Sequence, residues 1–71
     1  MALRTILKLD NQNDYNLSRN LFIGECYFNN DSDNKYELVF RCSDFLEQCK
    51  TESRIEKELN YNGVKNHYFK E

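Results

Sequence analysis

The run Lys35-Tyr36-Glu37-Leu38-Val39-Phe40-Arg41-Cys42 alternates with a period of two, and this constrains the chain more than any other feature. Successive side chains of an extended strand point to opposite faces. Tyr36, Leu38, Phe40 and Cys42 therefore share one face, and Glu37, Val39 and Arg41 share the other. A helix would scatter both sets around its circumference, so the run predicts a strand that is apolar on one side and mixed on the other.

Leu3-Arg4-Thr5-Ile6-Leu7-Lys8-Leu9 follows the same rule, with Leu3, Leu7 and Leu9 on one face and Arg4, Ile6 and Lys8 on the other. The segment from Asn20 to Phe28 is aromatic, nearly continuously apolar, and reads as a further strand, with Gly24 marking a bulge or a close backbone approach. Asn29-Asn30-Asp31-Ser32-Asp33-Asn34 favours a turn, because such side chains bond their own backbone, and it closes a hairpin. The polar, Asn-rich stretch from Asp10 to Asn20 reads as a loop pinned by Tyr15 and Leu17.

Ser43-Asp44 opens a helix. Asp44 with Glu47 three positions on has the spacing of a capping box. Phe45, Cys49, Ile55 and Leu59 supply a narrow apolar stripe, and Asn62-Gly63 stops the helix. Glu52 and Glu56 are expected to repel each other on its exposed side, with Arg54 and Glu58 as an attractive pair. The segment from Val64 to Lys70 fits either a short edge strand or a tail docked against the body. The expected fold is α+β: one domain over residues 1–71, an antiparallel sheet of three to four strands in the order β-β-β-α with a further terminal β, and one helix packed on one face.

A chain of 71 residues builds only a thin core, and no closed pocket large enough for a big cofactor is expected. Five Tyr and five Phe supply much of the buriable area, which argues for a folded domain rather than a disordered one. Leu21-Phe22-Ile23-Gly24 is far short of the roughly 20 apolar residues that cross a bilayer. The N-terminal residues lack the apolar region of a secretion signal, so a cytoplasmic protein with no membrane partner is expected. Three Cys in such a chain suggest reduced thiols rather than a disulfide framework.

No catalytic, metal or cofactor site is expected. Cys26, Cys42, Cys49 and His67 lack the paired spacing of structural zinc ligands. The single His has no orienting partner near a thiol. The Asn30–Asn34 stretch lacks the central Gly and distal Glu of a calcium loop. The helix carboxylates have no cleft to shift them. Two Gly in the whole chain exclude most phosphate-cradling loops.

What stands out is an excess of apolar strand residues. One helix covers one sheet face, which leaves Ile6, Leu21, Ile23, Tyr27 and Val39 on the other, bordered by Arg4, Lys8 and Arg41 as well as by Glu25 and Glu37. An apolar patch with a charged rim suggests a docking surface for a protein partner. Alternatively, Tyr61, Tyr68 and Phe69 fold back over it. The expected function is a non-enzymatic protein-binding module, a stoichiometric inhibitor or adaptor. Small phage- or mobile-element-encoded inhibitors of host defence proteins share this profile of size and composition, without a shared motif. Two alternatives stand beside it. One is a single-stranded nucleic-acid-binding accessory protein, ranked lower because Glu25 and Glu37 share the face and the net charge is -2. The other is a self-associating structural subunit, a homodimer through the sheet.

Overall fold

The computed structural model describes residues 3–30 and 36–70. The elements follow in the order β1 (Leu3–Leu9), α1 (Gln12–Leu21), β2 (Tyr27–Phe28), β3 (Glu37–Cys42), α2 (Phe45–Tyr61) and β4 (His67–Lys70). The four strands form one sheet in the order β2-β3-β1-β4, and every neighbouring pair is antiparallel. Each β-α-β unit is split: β3 lies between β1 and β2, and β1 lies between β3 and β4. This is the β-α-β-β-α-β, ferredoxin-like arrangement. The α+β class, the antiparallel sheet, the hairpin pairing of Tyr27–Phe28 with β3 and the strand at the C-terminal end are as the sequence implies. Residues 31–34 of the expected turn lie outside the described residues.

Two stretches differ from expectation. The polar segment after Asp10 is a helix, α1, and not a loop. Asn11 caps it, its Oδ1 accepting from Asp14 N at 2.9 Å. Asn is a weak helix former, by up to about 0.7 kcal/mol relative to Ala. The spacing Tyr15, Ser18, Phe22 outweighs that cost, because burying one large side chain contributes about 1.5–3 kcal/mol, and all three are buried. The strand expected from Asn20 to Phe28 is consequently short. Leu21 is the last residue of α1, Phe22 is its C-cap, and the chain turns through Gly24, whose φ of 80° sits in the left-handed region, before β2 begins at Tyr27.

Both helices send side chains into one cluster, but Phe45 and Cys49, expected on the apolar stripe of α2, are exposed because only Ile55 and Leu59 of that stripe reach the core. Tyr15 and Phe22 from the first helical segment meet Ile55 and Leu59 of α2 over Leu7, Leu9, Leu38 and Phe40 of the sheet. The Phe22 and Phe40 rings pack edge to face at 5.4 Å. Asp44 Oδ1 accepts from Glu47 N at 2.8 Å, and the Glu47 carboxylate turns back to Ser43 N and Oγ. At the other end of α2, Val64 N donates to Leu59 O and Gly63 N to Asn60 O, the two bonds of a Schellman motif, with Leu59 and Val64 both buried in the core.

Side-chain hydrogen bonds also tie α2 to β1. Thr5 Oγ1 donates to Glu52 Oε2 at 2.8 Å, so Glu52 faces the sheet rather than solvent. Arg54 reaches Glu25 at 2.6 Å and not Glu58, linking the turn before β2 to α2. Leu9 N donates to Tyr36 O, which places the backbone groups of odd β1 residues toward β3 and of even ones toward β4. Arg4 lies beyond the four β4 pairs, and its outward-facing carbonyl accepts from the buried Gln48 side chain at 3.1 Å. An exposed sheet edge is thereby partly satisfied from within.

Phe22 decides whether α1 closes the core. Phe22→Ala should lower the free energy of unfolding by about 3–5 kcal/mol in a denaturant titration. A midpoint within error of the parent would show that the ring is not buried among Phe40, Ile55 and Leu59.

Candidate functional site

Among the described residues, no helix lies on the second face of the sheet. The cross-strand register assigns Arg4, Ile6 and Lys8 of β1, Glu37, Val39 and Arg41 of β3, Tyr27 of β2, and Tyr68 and Lys70 of β4 to it. Of the residues expected there, Ile6, Tyr27, Val39, Arg4, Lys8 and Arg41 are present. Leu21 and Ile23 are not: Leu21 packs against the core from α1, and Ile23 stands in the following turn at 79% exposure. Nor does the C-terminal segment fold across the face. It lengthens the sheet as β4, sending Phe69 to the helix side and Tyr68 and Lys70 to the open side.

The expected apolar patch is absent from the surface. Ile6 is 5% exposed and Val39 0%. Their cover is made by long amphipathic neighbours, whose apolar stems shield what lies below while the polar ends reach water. Lys70 stands opposite Ile6 and extends past β1 to Glu37 on β3, Nζ to Oε2 at 3.3 Å. Tyr27 stands opposite Val39. The apolar residues form a floor, and the exposed layer above it is cationic and aromatic.

That layer is ordered by cation–ring contacts at both sides of the sheet. The Lys8 ammonium lies 5.1 Å from the Tyr68 ring centre, and the Arg41 guanidinium 5.2 Å from that of Tyr27. Arg41 Nε also donates to the Tyr27 hydroxyl at 3.4 Å. Hydrogen bonding to the phenol is the largest cause raising the pKa of each cation, Lys8 through Tyr68 and Arg41 through Tyr27. Both therefore remain charged throughout the neutral range.

Of the two carboxylates that sequence reasoning set on this face, one is off the sheet and the other is taken up by Lys70. Glu25 is off the sheet and bound to Arg54 of α2. Glu37 is on the face but has 0% exposure, its carboxylate accepting from Asn29 Nδ2 at 3.0 Å and from Lys70. A buried carboxylate demands such partners, because desolvation otherwise outweighs what packing returns. What remains exposed includes Arg4 directly opposite Arg41. Neither guanidinium has a carboxylate partner among the described residues. Tyr68 and Lys70 were missed as site residues because the strand character of the C-terminal segment was ambiguous. The alternation His67-Tyr68-Phe69-Lys70 carries the signal that would have placed them.

Among the described residues no group of His, Cys, Asp and Glu is arranged to hold a metal ion, and no helix is long and apolar enough to cross a membrane. Cys42 is buried on the core face, Cys26 is half-buried, and Cys49 is exposed on α2.

The Lys70–Glu37 contact should be measurable as stability. Lys70→Met keeps the stem over Ile6 and removes the charge. Because the lysine is half exposed and Asn29 still serves Glu37, the loss should be about 1–2 kcal/mol rather than the larger cost of a fully buried pair. Equal denaturation midpoints for variant and parent would show that Glu37 is satisfied without Lys70.

Comparison of the chain with protein-family models, with curated proteins and with solved structures gives no match.

Proposed function

We propose that the protein binds single-stranded nucleic acid across the sheet face that no helix covers. The observation that carries this reading is the Arg4–Arg41 pair, two guanidinium groups directly opposite each other with no carboxylate beside them among the described residues. Like charges facing across neighbouring strands weaken a sheet. A phosphate between them turns that repulsion into two charge-assisted hydrogen-bonding contacts.

The surroundings fit the same ligand. Lys8, beside Tyr68, extends the positive charge toward β4. Tyr27 and Tyr68 bring rings to the two edge strands, which lie about 14 Å apart at three strand spacings. Single-stranded nucleic acid is held in this manner, by cations along its backbone and aromatic side chains against its bases. Unstacked bases suit a flat floor of buried Ile6 and Val39, whereas a duplex keeps its bases inside. The overall charge of -2 is not spread evenly over the described residues. Glu52 binds Thr5 on the helix side, and Glu25 binds Arg54. The proposed function is binding.

A protein partner is the second reading, favoured by a separate observation. Phe45 and Leu46 stand exposed in the first turn of α2, at 69% and 64%, and Tyr and Arg are the residues most enriched at protein-binding hot spots. On that reading the chain is a stoichiometric inhibitor or adaptor, or it pairs with a second copy of itself.

Fluorescence anisotropy with labelled single strands of mixed sequence, repeated across a salt series, separates the two. Binding should weaken with salt at a log–log slope of up to about -2, from roughly 0.7 per phosphate over Arg4, Lys8 and Arg41, the three cations of the face with no carboxylate ion pair among the described residues. Arg41→Ser should flatten the slope by about 0.7. Tyr27→Ala should lower affinity by about 1–3 kcal/mol, the usual worth of one stacked base. A folded, monodisperse protein that leaves the anisotropy unchanged at low salt would return the face to a protein partner.

A further inference from the structure

Between α1 and the edge strand β2 lies a groove of about 440 Å³, lined by Tyr15, Arg19, Cys26, Tyr27, Phe28 and Leu38. Sites for small ligands commonly span about 300–1,000 Å³ and are walled by apolar and aromatic groups with a few placed polar ones. Leu38 and Tyr15 are buried and form the inner wall, while Tyr27 and Phe28 are partly exposed along the opening. None of the six lining residues is a carboxylate. Arg19, in the last turn of α1, makes no hydrogen bond or ion pair among the described residues. An unpaired guanidinium beside three phenyl or phenol rings is complementary to a planar ring that carries a negative charge.

The groove adjoins the cationic sheet face at Tyr27. Tyr27 belongs to both, lining the groove and carrying Arg41 on the open side. A strand lying over Arg4 and Arg41 therefore passes the edge of β2 at the groove mouth. We infer that this groove holds one nucleotide of that strand, its base between the aromatic walls and its phosphate on Arg19. The inference rests on the proposed single-strand binding, and it adds a site off the sheet that sequence reasoning missed. α1 was read as a loop, which left Tyr15 and Arg19 with no fixed place relative to Phe28.

Cys26 provides the readout. Its thiol lines the groove, and burial, reinforced by Glu25, holds its pKa above the usual cysteine value. It should react slowly in the free protein and more slowly still when the groove is filled. Cys49, exposed on α2 and outside the groove, is an internal reference.

The experiment alkylates the full chain with iodoacetamide, with and without a mixed-sequence single strand, and quantifies each cysteine by peptide mass spectrometry. Anisotropy is recorded on the same samples, for the parent and for Arg19→Ala. At ten times the Kd the strand should slow Cys26 alkylation about tenfold, in proportion to the unoccupied fraction, and leave Cys49 unchanged. Arg19→Ala should still bind, about three- to tenfold more weakly, as expected for the loss of one charged contact. With that variant brought to the same occupancy, the protection of Cys26 should fall below about twofold, since the base is no longer held in the groove. Strand binding without protection of Cys26, or protection that is the same in both proteins, would overturn the groove site and leave the sheet-face reading standing. No anisotropy change in either protein at low salt would overturn both.

Discussion

A carboxylate with no exposed surface sits on the sheet face that no helix covers, and the rest of that face depends on its neutralisation. Glu37 takes a hydrogen bond from Asn29 at the end of β2 and an ion pair from Lys70 on β4. In the strand order β2-β3-β1-β4, those two partners sit on opposite edges. One buried charge therefore ties both edge strands to the central pair. Lys70 reaches Glu37 only by passing over β1, and its stem helps to hide Ile6. Charge neutralisation, edge anchoring and apolar cover are one arrangement.

This arrangement also explains how a chain of 71 residues manages a sheet with two sides and helices on only one. A second layer of structure would need more chain. Here Lys70 and Tyr27, long enough to lie across the sheet and polar enough to face water, stand opposite the buried Ile6 and Val39. The outcome is a cationic, aromatic surface laid over an apolar floor. The sequence supplies both layers in alternation along each strand, so the same residues that looked like an apolar patch with a charged rim are in fact a charged layer with an apolar base.

Much of the fold was legible because it rests on local signals. The period-two runs of β1 and β3, the Asp44–Glu47 cap and the Asn62-Gly63 stop are each written in a few adjacent residues, and the structure uses all of them. What was not legible depends on contacts distant in sequence. α1 is built from Asn, Gln, Ser and Asp, and its helical state comes from Tyr15, Ser18 and Phe22 meeting a core contributed by β3 and α2. Reading it as a loop pushed Leu21 and Ile23 into a strand, and so onto a face they do not occupy. Glu52 and Arg54 looked like participants in local helix pairs, yet each finds its partner outside the helix, in Thr5 and Glu25. Local charge spacing offers a few tenths of a kcal/mol, which a well-placed partner elsewhere readily exceeds. Six of the eight residues expected on the open face lie on it, and the two strand partners that complete it, Tyr68 and Lys70, share the short His67–Lys70 alternation, which alone does not separate an edge strand from a docked tail.

Net charge misdirects when the two sides of a small domain differ. Over 44–61 the chain carries Asp44, Glu47, Glu52, Glu56 and Glu58 against Lys50, Arg54 and Lys57. Among the described residues, the open sheet face carries Arg4, Lys8, Arg41 and Lys70 against Glu37, which is buried and paired with Lys70. A total of -2 thus conceals a molecule with an acidic helix side and a basic sheet side. At physiological ionic strength charges are screened over about 8 Å. An approaching polyanion therefore responds to the side it meets, and not to the sum. On the proposed reading, the acidic helix would disfavour a strand on its own side and favour approach to the sheet. The facing Arg4 and Arg41 cost the isolated domain some stability, a strain that an anion on that face would relieve.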